Sequence, residues 1–469
     1  MKQKMTRRDF LQRNAMMVAG LTIVPSNVLG KVVGKTAPSD QLNIAGVGLV
    51  GKGIVNLRNM KSENIVALCD VDFGRCSSIY NEYPKAKTFY DYREMYDKMG
   101  KEIDAVVIAT PDHTHALVAG QAIVMNKHVY LQKPLTHSVY ESRLLNKLAQ
   151  KYKVCTQMGD EGASNRPFRQ VADIIWSGMV GEITAVEAFT DRPIWPQGIN
   201  RPTEEQTPPS TLNWQLYIGP APMRPYHRAY HPFNWRGWWD FGTGALGDMA
   251  CHIIHPIYHA LNLGFPNSIQ SSSTALLPES APHAERVRYT FPARGTIGSA
   301  RVGLPEMTLD WCDGGLKPPR PKGLPDNVSI GSGGTIYHGT KDTIIVANGI
   351  RLLSGRDISN VPSQQRVVEV SHEMDWVRAC KESAANRVKP VSDFDEAAPL
   401  NEMIVAGVAA VRLQGLDRTL QWDGANMRFT NINADETITV GKEKVNAKAF
   451  AEELIKHTYH NGFKLIDMP

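Results

Sequence analysis

The chain has 469 residues, 42% hydrophobic and 21% charged, with a net charge of +5. That length holds two or three domains of ordinary soluble composition. Lysine and arginine form no run beyond the first residues, which argues against a nucleic-acid partner. No apolar stretch is long enough to span a bilayer as a helix.

The N-terminus carries Thr6-Arg7-Arg8-Asp9-Phe10-Leu11, then an apolar stretch from Ala15 to Val24 that ends at Pro25. This is a twin-arginine pattern, and it predicts a Tat export signal over residues 1–30, a linker over 31–40 and a periplasmic destination. That pathway carries folded proteins. Any diffusible cofactor that such a protein used would have to travel with it and be recycled in place.

Leu42-Asn43-Ile44-Ala45 reads as a buried strand. Behind it come Gly46-Val47-Gly48-Leu49-Val50-Gly51, a helical stretch from Lys52 to Met60, and a second strand, Asn64 to Cys69, ending at Asp70. Strand, glycine turn, helix, strand and acid in this order form the dinucleotide-binding fingerprint. Gly46 is expected to make the tight turn, Gly48 to let the backbone approach a pyrophosphate, and Gly51 to let the helix pack on the strand. Asp70 suits a ribose 2′-hydroxyl and favours NAD, while Arg75 leaves NADP open as an alternative.

Strands are expected at Ile103 to Ala109, His128 to Leu131 and Val154 to Met158, with helices at Ala116 to Met125 and Ser138 to Lys151. This alternation predicts an α/β domain over 41–158 with a doubly wound parallel sheet. Ligands bind beyond the carboxyl ends of such strands. Leu49, Val50, Thr110, Pro111, Asp112, His115, Gln132, Lys133 and Gln157 fall there and join the glycines and Asp70 as expected cofactor contacts.

The texture then changes. A helix is expected from Phe168 to Ser177 and a strand from Ile183 to Phe189. The long segment Thr190 to Trp239 is rich in proline, tryptophan, tyrosine and histidine, and loops of that length are uncommon unless functional. Strands such as Ser268 to Leu276, Glu285 to Tyr289 and Thr343 to Val346 predict a second α/β domain, 159–469, with an open, mostly antiparallel sheet. Later helices are expected at Ser371 to Lys381 and Asp395 to Leu413. The six cysteines show no C-x-x-C pair and read as buried free thiols.

Lys133, after a strand and before Pro134, can polarise a hydroxyl or carbonyl at the mouth of the cofactor crevice. Asp248 and His252 are four residues apart in a helical segment and share a face, which suits a histidine acid/base tuned by a carboxylate. His255 and His259 extend that face. One helix does not bring four ligands to one ion, so no metal is expected. Trp195, Trp235, Trp238 and Trp239 either stack on sugar rings, with Arg192 or Asp191 on the hydroxyls, or fill a loop core.

Four features in order carry a resemblance to the Gfo/Idh/MocA family of oxidoreductases: Gly46–Gly51 with Asp70; Ala109-Thr110-Pro111-Asp112-His113-Thr114-His115; Gln132-Lys133-Pro134; and Gly242 to His252. The resemblance implies a Rossmann domain followed by an open-sheet domain that covers the nicotinamide. It implies catalysis by Lys133, Asp248 and His252, and substrate contacts from Arg192, Trp195, His252 and His255. Gln132 stands where the family usually has glutamate, and His255 where it usually has a carboxylate. Exported members with a stretch similar to Asp191-Arg192-Pro193-Ile194-Trp195-Pro196 resemble carbohydrate-active proteins, which implies a small carbohydrate substrate, and the family's open sheets often form subunit interfaces, which implies a homo-oligomer. The expected reaction is hydride transfer between a sugar or glycoside alcohol and tightly bound NAD. The alternative is glycoside hydrolysis through transient oxidation, elimination and hydration.

Overall fold

The structure, a computed structural model, describes residues 40–469; the twin-arginine segment lies outside the described residues. Six strands come first: β1 (Asn43–Val47), β2 (Asn64–Cys69), β3 (Lys87–Phe89), β4 (Ala105–Ile108), β5 (His128–Leu131) and β6 (Thr156–Met158). They lie in the order β3-β2-β1-β4-β5-β6, all parallel. The order reverses between β1 and β4, where a crevice opens beyond the strand ends. Register places the site: Val47 pairs with Cys69 and with Ile108, so Gly48, Asp70 and Ala109 leave the sheet side by side. Leu131 pairs with Ile108 and Met158, bringing Gln132 and Gly159 to the same edge.

Nine strands form the second sheet, in the spatial order Ile350–Leu352, Thr343–Val346, Gly334–Gly339, Ile183–Phe189, Met307–Cys312, Glu285–Phe291, Ser268–Ser273, Leu420–Asp423 and Arg428–Phe429. Only the pairing of Ile183–Phe189 with Met307–Cys312 is parallel. Alternation along Glu285–Phe291, with Val287, Tyr289 and Phe291 fully buried, sends one face into the core. The helix Phe394–Arg412 lies against that face, and Ser271 Oγ donates to its Ala410 carbonyl at 2.8 Å. Arg143, from the helix Val139–Tyr152, grips Glu402 at 2.6 Å, so the same helix ties the two sheets together.

The division at 158/159 is not kept by one later element. The helix His372–Cys380 returns to the first sheet, where Trp376 and Val377 pack with Ile44, Leu68 and Tyr130. The first sheet needs apolar cover on both faces, and the short helix Lys52–Asn59 does not provide all of it. All six cysteines are buried and free.

Candidate active site

The crevice holds a cavity of about 240 Å³, lined by Gly48 to Lys52, Asp70, Arg75, Thr110, Pro111, Gln132 and Lys133. Its other wall comes from the long loop, through Tyr217, His231, Pro232, Phe233, Trp235 and Arg236, and from Phe463 near the C-terminus. The loop is stitched to the end of β2. Asn213 N–H donates to the Val71 carbonyl at 2.8 Å, Thr211 Oγ1 donates to Asp72 Oδ1 at 2.9 Å, and His231 Nε2 lies 3.0 Å from Asp72 Oδ2.

The glycines divide their work differently from the expectation. Gly46 is the last turn-facing residue but one of β1, and it clears space for Leu57: a Cβ there would lie 2.7 Å from Leu57 Cδ1. Gly48 has φ +81, and a Cβ would lie 2.6 Å from the Ala109 carbonyl. Gly51 has φ +67 and nothing within 4 Å of a Cβ, so it turns the chain beside open space. Gly53 supplies the close helix–strand approach instead, since a Cβ there would lie 1.9 Å from Gly48 O. Asp70 Oδ2 accepts from Leu49 N–H at 2.8 Å and braces the turn. The helix Lys52–Asn59 has no acid in its first turn to occupy its amides. An open glycine turn, a free helix start and an acid at the end of β2 fit a dinucleotide, with phosphates at the turn and ribose at Asp70.

Lys133 and Asp248 meet at the cavity edge: Nζ donates to Asp248 Oδ1 and to the Asp248 carbonyl, both at 3.1 Å. Arg236 Nε donates to the same Oδ1 at 3.2 Å and its guanidinium lies over Trp235, 4.4 Å from the ring centre. Burial works to discharge Lys133, but the Asp248 carboxylate outweighs it and holds the ammonium above its ordinary range. Burial likewise opposes ionised Asp248, and Lys133 with Arg236 pulls it below the usual carboxylate range. Lys133 is therefore a cationic donor and Asp248 its counter-charge.

His252 is not partnered by Asp248. Its Nδ1 lies 2.6 Å from Asp160 Oδ1, and its side chain is 36% exposed. Asp160 escaped the sequence reading: it stands two residues past β6 and 92 residues from His252, so only the docking of the two domains joins them. The Gly159-Asp160 step at the carboxyl end of a parallel strand was the available signal.

His255 is fully buried, with Nδ1 2.8 Å from Asp160 Oδ2 and Nε2 3.2 Å from Glu396 Oε1, so it does not face substrate space. His259 follows, with Nδ1 2.9 Å from the same Glu396 oxygen and Nε2 2.8 Å from Gln365 Oε1.

Other expected contacts stand behind the cavity. Asp112 is buried and accepts from Thr243 Oγ1 at 2.9 Å, pinning the turn before the helix Gly244–Ile253. Burial, reinforced by Asp248, pushes its carboxyl up to about 8. His115 lies between the carbonyls of Thr110 and Pro134 at 2.8 and 2.9 Å, and joins those two segments. Gln157 donates to the His372 carbonyl at 2.7 Å and holds the returning helix. Gln132 lines the cavity while its amide donates to Asn56 at 2.8 Å, and Asn56 donates to Glu373 at 2.8 Å.

Trp195, Trp235, Trp238 and Trp239 are all buried, and of them only Trp235 lines the cavity. Trp195 is 5% exposed and donates to Gln197 at 3.0 Å, and Trp238 and Trp239 are buried as well. Neither Trp195 nor Arg192 lines the cavity; Arg192 pairs with Asp191 at 3.8 Å. Phe233, 45% exposed, lines the cavity beside the buried Tyr217 and Trp235.

Two family models match. One, described as oxidoreductase family, NAD-binding Rossmann fold, covers residues 41–160; the other, oxidoreductase family, C-terminal alpha/beta domain, covers residues 165–297. Inositol 2-dehydrogenase of Salmonella typhimurium is 30% identical over 143 residues, 30% of this chain and 42% of that protein. A glycosyl hydrolase family 109 protein of Shewanella amazonensis is 28% identical over 205 residues, 39% of this chain and 45% of that protein. The chain thus matches less than half the length of these curated relatives. The structure of the WlbA dehydrogenase from Bordetella pertussis, in complex with NADH and UDP-GlcNAcA, aligns with TM-score 0.55 at 16% identity, over 82% of this chain and 99% of that one. At that identity the likeness concerns the fold.

Proposed function

The chain belongs to the Gfo/Idh/MocA oxidoreductase family, and from that premise we propose that it oxidises a secondary alcohol of a sugar or glycoside, with NAD held in the crevice. The observation that carries the reading is the ion pair of Lys133 and Asp248, 3.1 Å long, on the edge of the glycine-turn cavity, with His252 one helical turn beyond Asp248. Bound NAD would accept the hydride that leaves the alcohol carbon. Lys133, kept cationic by Asp248, donates a hydrogen bond to the alcohol oxygen and stabilises negative charge as its proton leaves. His252, with Nδ1 on Asp160, takes that proton on Nε2. In the reverse direction the same imidazolium returns it.

The stitched loop supports a retained cofactor. Tyr217, His231, Pro232 and Phe233 close the cavity from above, and Asp72 anchors them. Retention suits the export reading of residues 1–30, which is part of the same proposal. Redox-neutral glycoside hydrolysis is the second reading, favoured by the family 109 relatives. The test of both is turnover of polyols, sugars and aryl glycosides by purified protein, with NADH and products quantified together. Keto product in step with NADH supports the first reading, and free monosaccharide without net oxidation supports the second.

A further inference from the structure

His252, Asp160, His255, Glu396 and His259 form an unbroken line of alternating imidazoles and carboxylates, with successive contacts of 2.6, 2.8, 3.2 and 2.9 Å. The line crosses the domain junction. Asp160 follows β6, the three histidines come from the successive helices Gly244–Ile253 and His255–Leu261, and Glu396 comes from the first turn of Phe394–Arg412. Carboxylates only accept hydrogen bonds. His255 faces one from each ring nitrogen, so both nitrogens carry protons and the ring is an imidazolium. Asp160 is then an anion between that cation and His252, and His252 can satisfy it only with a proton on Nδ1.

We propose that Asp160, held as a carboxylate by the buried His255–Glu396–His259 brace, is the positioning residue that fixes His252 in the tautomer whose Nε2 lone pair is open to substrate. The inference rests on the oxidoreductase reading for its use in catalysis, but not for its geometry. Burial opposes charge on His255, and the two carboxylates overcome it, lifting the ring to about 9. Burial likewise opposes charge on the two carboxylates, and the histidines overcome it: His255 and His259 hold Glu396 down to about 2, and His252 and His255 hold Asp160 below the usual carboxylate range. Other titratable groups look on. Tyr130, Glu161, Cys251 and His372 surround Asp160, Asp393 and Tyr258 stand near Glu396, and Asp248 acts on His252 from its own helix. Phe168 packs edge-on to His255, with ring centres 4.9 Å apart, and keeps water from the middle of the line.

The test is nitrogen NMR of the full-length protein with ¹⁵N-labelled histidine, without substrate, on wild type and Asp160→Asn. Wild type is expected to show His252 protonated at Nδ1 only and His255 protonated at both nitrogens at neutral pH. Asparagine offers one acceptor and one donor arm. The buried His255 takes the acceptor, so His252 faces an N–H and moves its proton to Nε2. Turnover then falls by about 10²–10⁴-fold with KM little changed. His252 protonated at Nε2 in wild type, or a wild-type His252 signal and rate in Asp160→Asn, would overturn the proposal. If Asp160→Asn does not fold, the wild-type signals decide alone. A chain that turns over no alcohol yet shows both signals refutes the oxidoreductase reading and keeps the brace.

Discussion

Replacing Gly48 with alanine separates the fold from the cofactor site when it is compared with the same change at Gly51. At Gly48 the new Cβ would lie 2.6 Å from the carbonyl carbon and oxygen of Ala109 and 2.7 Å from Thr110 N. These are backbone atoms at the ends of adjacent strands, so no side chain can swing aside. The φ of +81 adds strain. A left-handed conformation costs about 1–2 kcal/mol for a residue with a Cβ, and overpacking about 1–3 kcal/mol more. Gly48→Ala should therefore lose about 2–5 kcal/mol in urea unfolding. At Gly51 the φ of +67 carries the same strain, but the Cβ meets nothing within 4 Å. Gly51→Ala should lose only about 1–2 kcal/mol. Its methyl enters the space assigned to the pyrophosphate, so NADH affinity should fall by about tenfold or more, a change of about 1.4 kcal/mol. Urea titration and NADH titration of both variants provide the comparison. Wild-type NADH affinity in Gly51→Ala, or wild-type stability in Gly48→Ala, would refute the reasoning.

Lys133→Met should leave NADH binding in place and reduce turnover by about 10²–10⁴-fold, as read by NADH titration beside steady-state rates. Trp195→Ala should cost about 3–5 kcal/mol in urea unfolding because the ring is buried, whereas Phe233→Ala should raise KM with little change in stability. The pKa of His255 is raised in the folded state, from 6.5 to about 9. Its stabilisation is therefore complete below about pH 6.5 and is lost as pH rises through about 9. The full swing is about 3 kcal/mol. Unfolding free energies at about pH 6 and about pH 9.5 should differ by less in His255→Asn than in wild type, and equal differences would contradict the assignment.

Much of the Rossmann half was legible because its signals are local. Asn64–Cys69 and His128–Leu131 lie where the apolar runs put them, and glycine, acid and lysine fall at strand ends. Lys87–Phe89 was missed because three residues with one buried side chain show no alternation. The second sheet announced Ile183–Phe189, Ser268–Ser273, Glu285–Phe291 and Thr343–Val346 but not its other strands or the order of neighbours, since pairing Ile183–Phe189 with Met307–Cys312 depends on contacts far apart in sequence. The tryptophans illustrate a different limit. Composition cannot distinguish a stacking platform from a loop core, and packing buried Trp195 under Arg236 while leaving Phe233 at the cavity. The site histidines were found by their helical spacing, but their partners were not. Helical spacing suggested Asp248 for His252, whereas the docked domains give His252 to Asp160 and Asp248 to Lys133.

The central claim is that this chain removes two hydrogens from a sugar or glycoside alcohol with a nucleotide it already holds. The most direct test is mass spectrometry of products after purified protein is incubated with a panel of sugars and glycosides and no added NAD. A keto product lighter by two hydrogens, formed up to one equivalent per bound cofactor and abolished in Lys133→Met, is the predicted result. Release of free monosaccharide with no net oxidation would contradict it.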